Sequence, residues 1–129
     1  MEMVASLFNS DNYTAVKKMM DVAALRHAAI ASNIANVSTP GYKRVDLGRS
    51  FELELIKTID VRDAAKISAL DPSIETDSLT PSTRADGNNV QLDSELLKLT
   101  TNTMNFDALS QFASGSLKQL RTAITGRPA

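Results

Sequence analysis

The chain contains no cysteine and no tryptophan. Without cysteine there can be no disulfide and no thiol nucleophile, and a structural zinc site loses its usual ligands. The single histidine, His27, has no second histidine or thiol to share a metal. No metal, cofactor or catalytic residue is therefore expected. Aromatic residues make up only 5% of the chain. A sandwich core relies on large rings for buried area, so this shortage favours helices packed through Leu, Ile, Met and Ala. Charge of one sign is also missing: 14 basic residues face 15 acidic ones, for a net charge of -1. Nucleic-acid binders carry a basic stripe, and the nearest feature here is the pair Lys43-Arg44. No run of about 18 apolar residues exists to insert directly into a membrane. The first residues lack a basic start followed by an apolar run, so no cleavable signal peptide is expected.

What is present is helical periodicity at both ends. With 43% hydrophobic and 22% charged residues, the chain has the composition of one ordinary domain. Val16, Met20, Ala23, His27, Ile30, Ile34 and Val37 recur at steps of four and three. Met19, Val22, Ala24 and Ala29 widen that stripe, predicting a helix from about Asp11 to Val37 capped by Ser10 or Asp11. Near the other end, Leu92, Leu96, Leu99, Thr103, Phe106, Ser110, Ala113, Leu117, Leu120 and Ile124 keep a strict four-three alternation. That is a coiled-coil seam, expected to start at an Asp93 cap and to stop at Gly126 and Pro128. The expected fold is mainly α: two long terminal helices in an antiparallel coiled-coil hairpin around an irregular middle. Leu97, Met104, Leu109 and Phe112 form a second stripe on the later helix, which calls for a further partner.

The regions divide as 1–42, 43–89 and 90–129. In the middle, Phe51, Leu55 and Ile59 share a helical face, while Phe51, Leu53 and Leu55 also alternate as a strand would. Asp71 to Asn89 is rich in Pro, Ser, Thr and Asp and reads as an extended loop. Thr39-Pro40-Gly41-Tyr42 reads as a type II turn, with proline fixing φ at its second position and glycine supplying positive φ at its third. Asn33 and Asn36, one turn apart, sit where a helix prefers alanine; a packing or hydrogen-bonding task and a solvated pair are both open readings.

The segment Ala31-Ser32-Asn33-Ile34-Ala35-Asn36-Val37-Ser38-Thr39-Pro40-Gly41-Tyr42 closely resembles the motif near the start of flagellar rod and hook proteins. Gly87-Asn88-Asn89-Val90-Gln91-Leu92-Asp93 and Leu120-Arg121-Thr122-Ala123-Ile124 resemble the later motifs of the proximal-rod branch of the flagellar basal-body rod protein family. The resemblance covers both ends and only loosely the middle. It implies a non-enzymatic building block of the rod, exported by the flagellar type III apparatus. Its expected partners are other rod subunits, the rod-base adaptor, the inner-membrane ring and export gate, and further copies of itself in a helical assembly. It also implies terminal helices that are poorly ordered before assembly.

On this reading the assembly motif is Asn33, Asn36, Thr39, Pro40, Gly41 and Tyr42. The turn would hold Tyr42 and Lys43 against a neighbour. The coiled-coil seam is Ile30, Ile34, Leu96, Leu99, Phe106, Ala113, Leu117, Leu120 and Ile124. The competing reading, from another class, is a soluble helical-bundle adaptor or export chaperone that holds a partner's helix.

Overall fold

A computed structural model describes residues 11–127. The elements run α1 (Asp11–Ala35), β1 (Val45–Leu47), α2 (Arg49–Val61), α3 (Ala64–Ala69), β2 (Ile74–Thr76) and α4 (Leu92–Thr125). The fold is mainly α, with a long helix near each end of the described chain. The expected caps at Ser10 and Asp11, and the stop at Pro128, lie outside what is described.

α1 and α4 run in opposite directions: Asn33 near the end of α1 meets Glu95 at the start of α4, and Asn102 further along α4 donates to the carbonyl of Ala23. α1 ends two residues before the predicted Val37. Asn36 N–H already reaches both Ser32 O and Asn33 O, and Val37 N–H reaches Ile34 O, so the last turn tightens into i→i+3 bonding. The predicted turn follows, with Tyr42 N–H donating to Thr39 O at 3.3 Å and Gly41 at φ +72°. α4 opens one residue before the expected Asp93: Gln91 is the cap residue and its side chain caps nothing. Gly126, at φ 65°, closes the helix as expected, donating to Thr122 O at 2.8 Å.

The middle resolves into ordered structure. The ambiguous segment around Phe51 is a helix, α2, because Phe51, Leu55 and Thr58 share one buried face. Asp63 caps α3 by accepting from Lys66 N–H at 3.0 Å. The expected loop from Asp71 to Asn89 contributes β2, which pairs antiparallel with β1 in the register Val45↔Thr76, Asp46↔Glu75, Leu47↔Ile74. Gly48 N–H to Ser73 O and Asp77 N–H to Arg44 O extend that ladder at both ends.

α1 is the centre of the molecule because two faces of it are covered. Val22 joins Leu47, Phe51 and Leu55 in a core completed by Ile59, Leu70 and Ile74 from the middle segment. Ala23, Ile30 and Asn33 are buried towards α4. Lys18 ties α1 to the end of α3 by donating to Leu70 O at 2.7 Å and Ser68 O at 3.2 Å.

Candidate assembly site

Asn33 is wholly buried, and its amide behaves like a strand edge. Its Oδ1 accepts from Val45 N–H at 2.8 Å, and its Nδ2 donates to Val45 O at 2.8 Å. β1 is thus hydrogen-bonded on one side to β2 and on the other to a helical side chain. Nδ2 also donates to Glu95 Oε2 at 3.0 Å, and Oδ1 accepts from the Tyr42 hydroxyl at 3.3 Å. A buried amide pays its desolvation only when its donors and acceptors are all used, and here they are. Of the two readings left open for Asn33, the structure selects the hydrogen-bonding one.

Asn36, half-buried, donates back to Ser32 O at 2.8 Å and accepts from Thr39 Oγ1 at 3.1 Å. The carbonyls it leaves behind meet a second asparagine. Asn88, wholly buried, donates to Asn36 O at 2.9 Å, Val37 O at 3.2 Å and Thr39 O at 2.8 Å. Its own Oδ1 accepts from Val90 N–H at 2.8 Å. One side chain therefore caps the frayed end of α1, as orphan helix carbonyls require. Asn89 does the same for the loop: Oδ1 accepts from Arg44 N–H at 2.6 Å, and Nδ2 donates to Asp77 O and Thr80 O. Gly41 and Gly87, both with positive φ, bring the two motifs together. A Cβ built on Gly87 would lie 3.9 Å from the Gly41 Cα. Tyr42 is half-buried with its hydroxyl 3.1 Å from Ser32 Oγ, and Lys43 donates to Gly87 O at 2.5 Å. Both are engaged inside the chain. Thr39, Pro40 and Gly41 are exposed.

Charge enters this clamp through Arg44, only 4% exposed. Its guanidinium donates to Glu95 Oε1 at 3.1 Å, to Asp46 Oδ2 at 2.8 Å and to Asp77. Burial opposes the cation, but the hydrogen bonds to Asp46 and Asp77 and the charges of Glu95 and Asp46 outweigh it. The guanidinium is held well above the ordinary arginine value. At Asp77, burial pushes the carboxyl up. The Thr80 hydroxyl, Arg44 and the amides of Leu79 and Thr80 win, and its pKa falls to about 2. Glu95, 1% exposed, faces Asn33, Arg44 and, at 3.4 Å, Lys98. A buried carboxylate with this many donors is compensated rather than stranded.

The predicted seam divides. Ile30 is buried, and Ile34 is half-buried. On α4, Leu99, Ala113 and Leu120 are half-buried, whereas Leu96 is 45%, Phe106 37%, Leu117 42% and Ile124 65% exposed. The residues of α4 that sink deepest are Glu95 and Asn102. At 100° per residue, the packed face passes through Glu95, Asn102, Leu109 and Ala113. The apolar seam lies to one side, roughly 50–60° away on average, and runs into that face at Ala113 and Leu120. Counting apolar residues locates the stripe but misses the polar residues that meet α1. Of the second stripe, Leu97 (68%), Met104 (67%) and Phe112 (54%) are exposed, and Leu109 is half-buried. His27 is exposed on α1.

Arg44, Glu95, Asn102 and Asp77 carry the clamp but were not singled out by sequence reasoning as site residues. The signal available was indirect: Arg44 follows the turn, and Asn88 and Asn89 sit inside the second family motif. Among the described residues, no cluster of His, Asp or Glu could hold a metal ion, and no helix is long and apolar enough to cross a membrane.

A model of the family described as flagella basal body rod protein matches residues 20–43, the second half of α1 and the turn that follows it. The flagellar basal body rod protein FlgB of Bacillus subtilis is 32% identical over 113 residues, covering 79% of this chain and 84% of that protein. FlgB of Borrelia hermsii is 31% identical over 125 residues, covering 83% and 90%. FlgB of Escherichia coli is 28% identical over 123 residues, covering 84% and 88%. The matches span the clamp from both sides, and the chain belongs to the FlgB family of flagellar basal body rod proteins.

Proposed function

We propose that this chain is a structural subunit of the flagellar basal body rod whose two long helices divide their work between folding and assembly. One observation carries the division: on α4 the face that meets α1 is held by Glu95 and Asn102, while the apolar seam beside it stays half open. A helix that satisfies its own hairpin with polar contacts leaves its leucines for other molecules. Packing along that seam, Leu96, Leu99, Phe106, Ala113, Leu117, Leu120 and Ile124 would form coiled-coil layers with helices of neighbouring subunits. Contacts that do not close on themselves build a helix, the geometry a rod requires. Torque would then pass through many interlocked helices. Export through the flagellar type III apparatus, and contact with the rod-base adaptor and inner-membrane ring, follow for a protein placed at the rod's base.

The motif residues Asn33, Asn36, Thr39, Pro40, Gly41 and Tyr42 serve assembly from within. They lock α1, the turn and the 87–89 loop into one unit, which fixes the angle at which the seam is presented. The exposed Thr39-Pro40-Gly41 tip remains available to a neighbour.

The reading is tested in a bacterium whose own copy of this gene is deleted. Restoring the gene should return swimming, and the chain should co-purify with isolated basal bodies. Swimming restored with the chain absent from the basal body would instead indicate a soluble chaperone or adaptor.

A further inference from the structure

Among the described residues, Leu79 is the most exposed of the large apolar side chains, at 75%, and the only exposed one that lies outside a helix. Yet the turn that carries it is firmly held. Asp77 Oδ1 accepts from the Leu79 N–H at 2.9 Å and the Thr80 N–H at 3.2 Å, and Oδ2 accepts from the Thr80 hydroxyl at 2.7 Å. Buried Asn89 donates to Asp77 O at 3.2 Å and Thr80 O at 3.0 Å, and buried Arg44 binds the Asp77 carboxylate. A surface leucine on a loose loop needs no explanation. One fixed by buried side chains and left in water is pre-organised, and it loses little freedom on binding. The Ser78 and Leu79 carbonyls accept no hydrogen bond from the described residues, so the tip offers acceptors beside its apolar side chain.

A hollow that suits this tip lies between α1 and α4. It has a volume of about 320 Å³, mostly apolar walls and one side open to water. Ile30 and Asn102 are its buried floor, Leu97 and Thr101 line it, and Lys98 and Asn105 stand at its edge. The Asn105 amide has no partner among the described residues, and Lys98 reaches only Glu95, at 3.4 Å, so both can donate. At 100° per residue, Leu97, Lys98, Thr101 and Asn105 flank the packed face of α4 on the side away from the seam. Leu97 belongs to the second apolar stripe, which packing along the seam leaves uncovered.

We propose that, in the rod, the Leu79 turn of one subunit enters the α1–α4 hollow of a second copy. Leu79 lies against Leu97 and Ile30 there, while Lys98 and Asn105 donate to the carbonyls of Ser78 and Leu79. A knob and a hollow on different surfaces make a heterologous contact, which propagates as a helix when its rotation does not close. The walls come from both long helices, so the hollow exists only where α4 is packed on α1. A copy in which that packing has not formed has the turn but no hollow. It can join a seated copy and cannot receive another, which orders growth.

This inference rests on the rod reading, and the absence of cysteine makes its test direct. The full chain carrying both Leu79→Cys and Thr101→Cys is expressed in cells lacking the native gene, and their basal bodies are isolated and mildly oxidised. A ladder of linked dimers, trimers and longer products is expected, with no links from either single variant. Linked pairs that never extend beyond dimers would mean a two-fold contact, and basal bodies that hold the chain without links would mean no contact; either result overturns the proposal. A second reading does not depend on disulfides. Leu79→Asp, at so exposed a position, should leave the unfolding midpoint unchanged and reduce the amount of chain in basal bodies roughly tenfold or more. Leu79→Met should enter at near-normal levels. Leu79→Asp present in normal amounts would overturn the contact and leave the rod assignment in place, whereas an unsubstituted chain missing from basal bodies would remove the assignment itself.

Discussion

Asn33 shows how a single side chain can hold three segments. Its amide pairs with both backbone groups of Val45, with Glu95 and with Tyr42. Asn33→Ala would strand the Val45 amide and weaken the support of a buried carboxylate. A loss of about 2–4 kcal/mol is expected in urea unfolding. Asn33→Asp should cost more at neutral pH than Asn33→Ala, since it places a second carboxylate against Glu95 and removes the donor; equal midpoints would contradict this. Asp77 gives the pH dependence. Its carboxyl titrates at about 2 in the folded chain against an ordinary 3.8. A depressed folded pKa contributes stability that is full above the unfolded value and is lost as pH falls through the folded one. The contribution should be at most about 2 kcal/mol above pH 4 and should fade between about pH 4 and pH 2. Asp77→Asn should lower stability at pH 7 and flatten the curve in that window, as read from unfolding midpoints at each pH.

At the scale of elements, legibility followed periodicity. The two long helices were readable because their apolar residues repeat every three or four positions over many turns. The turn was readable because Pro40 and Gly41 each have one strong backbone preference, and Gly41 does take φ +72°. Gly41→Ala should therefore cost about 1–2 kcal/mol in thermal or urea unfolding, and an unchanged midpoint would show the turn to be less constrained than its geometry implies. The strands were not readable: β1 and β2 have three residues each, too few to show alternation, and both depend on a partner far away in sequence. The packed face of α4 was misplaced for a different reason. Glu95 and Asn102 are buried because Arg44, Asn33 and the Ala23 carbonyl satisfy them, and those groups come from distant segments. A periodicity argument treats polar residues as outward-facing and cannot see that compensation. The clamp was half legible, since its asparagines lie inside family motifs while its central arginine does not.

At the scale of the molecule, the clamp and the seam answer different needs. The clamp gathers the end of α1, the 39–42 turn, the 87–89 loop and the start of α4 around Arg44 and two wholly buried asparagines, Asn33 and Asn88. The seam stands on the same helix but outside that knot. Substitutions in the two places should accordingly have different signatures. Arg44→Met leaves Glu95, Asp46 and Asp77 without their shared cation and should reduce stability by about 3 kcal/mol or more. Leu96→Asp lies on a half-exposed position and should leave the helix content and unfolding midpoint nearly unchanged while blocking assembly. The measurement that tests this division most directly is the amount of the Leu96→Asp chain in basal bodies isolated from cells lacking the native gene, with the purified variant confirmed as folded by far-UV circular dichroism. The account predicts a folded chain that is absent from the rod and cells that do not swim. A folded Leu96→Asp chain present at normal levels in working basal bodies would contradict it, and the seam would then have no part in assembly.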